Sequence, residues 1–428
     1  MTARRRPGRP RNADFTAPLT IPGGAVAGAD LVRELPAEVS LSVWQTLRSV
    51  LLWAAEDPGL RGDLFEPCAM TEWETELLEN DWDADVRCPL AVLVGQLGRQ
   101  GDASAETIAH ACLSVTDWAL EHGYVATALA YAEAAALSWP QHPRYAWLAG
   151  RLMRAHGRPR EAEAWLKRAE RAANRLADWE GRTLSLNSLG NLYYGMGNYS
   201  QAAKMHRDAL KVARRHRLRK REGEILHDLF VATWYMGYAE EAEQYARAAL
   251  EVYKDGHPRL ATLAHDVAFS WVAEGYYGRA LTVLQGLERY FELPSERIRV
   301  LASIARAAGG CNATEMFSSA AKEIWTLADR QDAGQGVAAA LVELARGATS
   351  LAKWDIAEEA LLKAREVAVL RSEEDVVAEA DDALSAVSAH RAAAPARSTL
   401  DTVPSQRLDT LANGLVVTLR ATAVPVAA

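Results

Sequence analysis

The chain has 428 residues, a formal net charge of -8 and 49% hydrophobic residues. That balance suits a folded, soluble chain and excludes one whose main task is to coat nucleic acid. No run of about eighteen apolar residues could span a bilayer, and MTARRRPGRPRN is followed by no apolar core of a secretory signal, so a cytoplasmic location and no membrane partner are expected.

Residues 1–30 hold five arginines and four prolines up to Ala29, with little periodic apolar pattern, and are expected to be a disordered basic arm. Residues 31–100 show helical periodicity in Val43, Trp44, Leu47, Val50 and Leu51, then in Trp73, Leu77 and Leu78, without an internal echo. They are predicted to form a small N-terminal helical region of unknown type, with Pro58-Gly59 and Cys88-Pro89 as its breaks. The segment from Glu56 to Asp85 is acidic, the middle of the chain basic, and Asp355 to Asp382 acidic again.

From residue 101 to 390 a pattern recurs. Gly157, Gly197 and Gly237 are 40 residues apart, as are Ala162, Ala202 and Ala242, and Ala169, Ala209 and Ala249. Small residues recur in this way where two helices cross closely and where a glycine ends the first of them, so each unit reads as a helical hairpin. Ala, Leu, Glu and Arg dominate and Pro is sparse, which makes the whole stretch all-α. From residue 391 to 428 the chain turns to Ala, Thr, Pro and Ser, with one apolar patch at Leu415 to Leu419, and is expected to be a flexible tail.

The best copy of the hairpin runs from Thr183 to Arg215, with Leu189, Gly190, Tyr193, Gly197, Tyr199, Ala202 and Ala209 in order. These residues resemble the tetratricopeptide repeat signature. Weaker copies lie around Gly123, Gly157, Gly237, Gly275 and Trp354, and a degenerate one spans Arg297 to Asp329 with Gly309-Gly310 at its turn. The spacing of about 40 residues is similar to that of bacterial regulatory proteins of this type. The resemblance implies a right-handed superhelical solenoid of antiparallel helix pairs with a concave inner surface.

In that family the first helix of each unit lines the groove. Carried over, the strip comprises Trp147, Arg151 and Arg154, then Asn187, Asn191 and Tyr194, then His227, Val231, Trp234 and Tyr235, and finally His265 and Phe269. The asparagine amides suit an extended backbone, the arginines a carboxylate, and the aromatic rings apolar pockets. Trp147 and Trp234 at helical spacing also suit packing between repeats. The implied role is a non-catalytic scaffold or regulatory sensor that binds a protein or peptide segment.

Lys211, Arg214, Arg215, Arg217, Arg219, Lys220 and Arg221 put seven cations into eleven residues. They suit a solvated helix end or an acidic partner. The alternative function is a nucleic-acid-associated transcriptional regulator that uses this cluster and the N-terminal arm, where Gly8-Arg9-Pro10 between arginines resembles the minor-groove AT-hook core. No phosphate loop, GxSxG, HExxH or metal-ligand spacing is present, so neither an enzyme nor a cofactor or metal is expected. Cys68, Cys88, Cys112 and Cys311 form no disulfide-like or CxxC spacing and are expected to be buried or idle thiols.

Overall fold

The computed structural model describes residues 29–254, 256–287, 290–291, 293–330, 336–390 and 405–422. The arm at residues 1–28 and residues 391–404 and 423–428 lie outside these. The described residues form α-helices and one short 3-10 turn, with no strand. They fall into two compact units that meet in sequence at Leu218 and Arg219.

The first unit holds α1 (Ala29–Glu34), α2 (Ala37–Ala55), α3 (Pro67–Glu79), α4 (Ala84–Leu97), α5 (Ala105–Glu121), α6 (Val125–Ser138), α7 (Pro143–Ala155), α8 (Pro159–Arg175), α9 (Trp179–Gly195) and α10 (Tyr199–Arg215). From α5 to α10 each helix packs on the next, as a stacked array of hairpins requires. The second unit begins with α11 (Arg219–Tyr235), α12 (Ala239–Tyr253), α13 (Leu260–Glu274) and α14 (Tyr277–Leu284). It continues with α15 (Pro294–Gly310), α16 (Thr314–Ala328), α17 (Val337–Ser350), α18 (Trp354–Leu370), α19 (Glu374–His390) and α20 (Gln406–Thr422).

One turn closes the central helices. Its middle residue is left-handed at Gly157 (φ 71°), Ala177 (54°), Gly197 (73°), Arg217 (57°) and Gly237 (82°), every twentieth position. The next residue's N–H returns to a carbonyl five residues back: Arg158 to Met153 at 2.8 Å, Asp178 to Ala173, Asn198 to Tyr193 and Leu218 to Ala213 at 2.9 Å, Tyr238 to Thr233 at 3.2 Å. This is the Schellman closure, which satisfies a carbonyl the helix end would orphan. Asp178 and Asn198 then cap the following helices, accepting from the amides of Gly181 and Gln201.

Helix pairs cross at small residues. A Cβ on Gly190 would lie 2.3 Å from the His206 ring, and one on Gly150 would lie 2.7 Å from Leu166. Ala162, Ala169, Ala202, Ala209, Ala242 and Ala249 are all buried.

The N-terminal helices share one hydrophobic cluster with the first repeats, from Leu31 through Val43, Leu90 and Tyr131 to Leu192. The Glu34 carboxylate accepts from the amides of Ala126 (3.0 Å) and Thr127 (2.5 Å) and from the Thr127 hydroxyl (2.7 Å), so it caps α6 from 92 residues away. Tyr131 donates to the Val43 carbonyl at 2.7 Å, and Trp118 to Asp83 at 3.0 Å. Pro58-Gly59 lies in the loop after α2, but Cys88-Pro89 is no break. Pro89 sits inside α4, held there by the Asp83 cap and by buried Val86, Leu90, Leu93 and Val94.

Two further expectations are corrected. Gly309-Gly310 are not a turn but the last residues of α15, the turn residue being left-handed Asn312. A Cβ on Gly309 would meet the Gly347 carbonyl oxygen at 2.3 Å, so the glycines allow α15 to cross α17 at backbone contact. The C-terminal stretch is not tail throughout, since α20 buries Leu408, Leu411, Leu415 and Leu419 along one stripe. It packs on α14, and Arg279 donates to Asp409 at 2.7 Å.

Gly197→Ala is expected to cost about 1 kcal/mol in urea unfolding, because nothing lies within 4 Å of the added Cβ and only the left-handed backbone resists it. Ala177→Gly, in the equivalent turn, is expected to gain roughly 0.5 kcal/mol, relief of strain exceeding the added chain entropy. Equal responses at the two sites would refute the backbone account. Glu34→Ala is expected to cost about 2 kcal/mol and to speed hydrogen exchange at Ala126 and Thr127.

Candidate functional site

In the first unit Trp147, Arg151 and Arg154 on α7 and Asn187, Asn191 and Tyr194 on α9 occupy equivalent places, each pair being 40 residues apart. Spacings of four and three residues put each trio on one helix face. Arg151 and Arg154 are exposed; Trp147, Asn187, Asn191 and Tyr194 are half-buried. The Trp147 indole N–H donates to Ser188 Oγ at 2.8 Å, which ties α7 to α9, and the Arg151 guanidinium lies 5.1 Å from the Trp147 ring centre. The Tyr194 ring sits 5.6 Å from Tyr199.

Asn187 is partly a structural residue. Its Oδ1 lies 2.8 Å from Nδ1 of buried His206, the ring that fills the space over Gly190. Tyr193 beside the strip donates to Glu163 Oε1 at 2.6 Å; burial and this bond push its hydroxyl up to about 12. Sequence reasoning passed over His206, Ser188 and Glu163. The only sequence sign for His206 was its place opposite a glycine.

In the second unit Trp234, Tyr235 and Phe269 cluster, with ring centres 4.8 Å apart for the first pair and 6.1 Å for Trp234 with Phe269. The Trp234 indole donates to Glu274 at 2.8 Å, and Val231 is half-buried. His227, expected on the open strip, is instead fully buried, with Nε2 2.9 Å from Asp266 Oδ2. A carboxylate on the neighbouring helix draws the ring inward. Asp266 also lies 3.4 Å from His265 Nδ1, and His265 Nε2 lies 3.3 Å from Ser303 Oγ. This Ser, His and Asp sequence is that of a catalytic triad, yet Ser303 is 3% exposed and its hydroxyl bonds the Arg299 carbonyl, so no substrate reaches it.

Comparison with known proteins agrees with this architecture. Residues 145–215 match the tetratricopeptide repeat family model. Those residues, α7 through α10, carry tetratricopeptide repeats. Among solved structures it is similar to aspartyl phosphate phosphatase F from Bacillus subtilis, at 10% identity and TM-score 0.51, over 76% of this chain and 94% of that one. Matches also include PilF of Pseudomonas aeruginosa (16% identity, 52% of this chain and 93% of that one, TM-score 0.41). A Rap protein complexed with competence and sporulation factor matches at 9% identity, over 83% of this chain and 99% of that one, with TM-score 0.44. At such identities the likeness concerns the fold. No curated protein matches the sequence significantly.

The basic run is divided between the two units. Lys211, Arg214, Arg215 and Arg217 are exposed in the first, Lys211 pairing with Asp208 at 2.9 Å. Arg219 and Lys220 are exposed in the second, where Arg221 pairs with Glu224 at 2.9 Å. The Gly8-Arg9-Pro10 arm lies outside the described residues. Cys112 is buried, which pushes its thiol up, whereas Cys68, Cys88 and Cys311 are exposed free thiols. Among the described residues no group of three His, Cys, Asp or Glu could hold a metal, and no helix is long and apolar enough to cross a membrane.

Burial alone would raise the Asp266 carboxyl; hydrogen bonds and charge from His227 and His265 outweigh it and hold the group well below the usual carboxylate range. The folded state is therefore stabilised above the ordinary Asp value near 3.9, and the stabilisation fades as pH falls below it. Asp266→Ala is expected to cost about 1–3 kcal/mol at pH 7, because it orphans buried His227 Nε2. Urea unfolding over a pH series should show the gap to wild type narrowing between about pH 4 and pH 2; a gap independent of pH would contradict the assignment.

Proposed function

We propose that this chain is a non-catalytic binding module that holds a peptide or extended protein segment against the α7 and α9 strip. One observation carries the reading: equivalent faces of successive first helices place Trp147, Arg151 and Arg154 in register with Asn187, Asn191 and Tyr194, partly or fully open to solvent. A ligand crossing the two helices meets the same three places twice with different chemistry. Arg151 and Arg154 suit a carboxylate, the Trp147 face suits an apolar side chain, and the Asn191 amide can donate to and accept from an extended backbone.

The strip is held ready. Trp147 is fixed by Ser188, with the Arg151 guanidinium 5.1 Å from its ring centre, so a ligand orders few side chains on binding. A few charge-assisted hydrogen bonds at ~1.5–3 kcal/mol each, less the ordering cost, correspond to a Kd of about 1 μM. The aromatic cluster of Trp234, Tyr235 and Phe269 gives the second unit a separate apolar face of the same kind. A regulatory sensor in the cytoplasm is the cellular role that suits such a module.

The test selects peptides from a displayed random library on the immobilised wild-type chain and measures them by fluorescence anisotropy. Selected peptides should bind the Arg151→Glu, Asn191→Ala variant at least about tenfold more weakly, the loss of roughly 1.4 kcal/mol, with an unchanged thermal melt. Asn187 is left intact because it supports His206. Equal affinities for the two proteins would sink the reading.

A further inference from the structure

A second stripe of α9, offset from Asn187 and Asn191, faces a cleft of about 700 Å³ between α8 and α10. Its floor is Leu186 and Leu189 of α9 with Met205 and Val212 of α10. Arg182 and Glu170 close one wall as a pair at 2.9 Å, and Lys211 holds Asp208 on the other at 2.9 Å.

The end of the cleft is cationic. The 40-residue register places Arg171 level with Lys211 and Arg175 level with Arg215, and Arg214 lies beside them; all five are exposed. No acidic residue follows Glu170 in α8 or Asp208 in α10. From Pro143 to Arg215 there are 15 Lys and Arg against 6 Asp and Glu, a net +9 in a chain whose total is -8. Helix dipoles favour cations at C-termini, but they do not account for an apolar floor between two such ends in which Met205 and Val212 are half-exposed above buried Leu186 and Leu189.

We propose that this cleft docks an acidic amphipathic helix of a partner protein, its apolar stripe on Leu186, Leu189, Met205 and Val212 and its carboxylates toward Arg171, Arg175, Lys211 and Arg215. Amphipathic helices lie in grooves through anchors at i, i+3, i+4 and i+7, and methionine in a floor adapts to varied side chains. The floor has no aromatic ring on which a base could stack, which sets the cleft apart from single-stranded nucleic-acid platforms. The cations add attraction that salt screens.

The experiment uses the full chain and a fluorescein-labelled peptide of about 18 residues, long enough for five helical turns, with Leu at heptad spacing and Glu elsewhere. Controls are its scrambled isomer, poly-glutamate of equal length and a short DNA duplex. The amphipathic peptide is expected to bind at least about tenfold more tightly than each control and to weaken with added salt. Arg171→Glu with Lys211→Glu, and separately Val212→Asp, should each weaken it about tenfold or more. Arg151→Glu with Asn191→Ala should leave it unchanged, which separates this site from the α7 and α9 strip. Binding that is equal for the scramble or poly-glutamate, tighter for the duplex, absent at about 100 μM, or insensitive to both sets of cleft variants would overturn the proposal.

Discussion

The central array depends on a left-handed residue at every twentieth position. Residues 157, 177 and 197 in the first unit and 237 in the second each reverse the chain in three residues, and α8 to α10 are each 17 residues long. Equal helices joined by equal turns keep side chains 40 residues apart in equivalent places. That phase makes strips out of single residues: it sets Trp147 beside Asn187's equivalent position and Arg171 beside Lys211's. Without it, each helix would present its face at its own angle, and neither the strip nor the cleft would be continuous.

Glycine made this period partly visible in the amino-acid sequence. Gly157, Gly197 and Gly237 mark the turns inside the hairpins, because glycine takes a positive φ at little cost. The turns between hairpins use Ala177 and Arg217, which carry no such mark, so only every second turn is legible. Gly309 illustrates the reverse error. Glycine serves both a turn and a close crossing, and only the partner Gly347, 38 residues on, tells the two apart. Pro89 and α20 were misjudged for a related reason: burial of Leu90, Leu93, Leu411 and Leu415 overrides local propensity, and burial depends on elements distant in the chain.

The candidate site was legible to the level of helix face but not of side-chain environment. Positions 147, 187 and 227 share one register, yet Trp147 is half-buried, Asn187 touches His206 and His227 is enclosed. What differs is the neighbouring helix: Ser188, His206 and Asp266 are the partners, and none belongs to the repeat pattern. A repeat constrains the residues that let backbones approach and leaves these partners free to vary. Register therefore predicts where a side chain starts, and chemistry across the interface decides where it ends.

The same freedom explains how one helix can serve two faces. On α9 the stripe Asn187, Asn191 and Tyr194 and the stripe Arg182, Leu186 and Leu189 are offset by five residues, about 140° around the axis. Gly190 lies between the two and lets His206 close beneath them, where its ring also meets Asn187. Cations serve both faces: Arg151 and Arg154 on the strip, Arg171 and Lys211 at the cleft. With a net +9 in this segment of a chain at -8, the attraction for acidic groups is local to α7 through α10. At physiological salt the screening length is about 8 Å, so a charge farther than that from this segment does little to cancel its attraction.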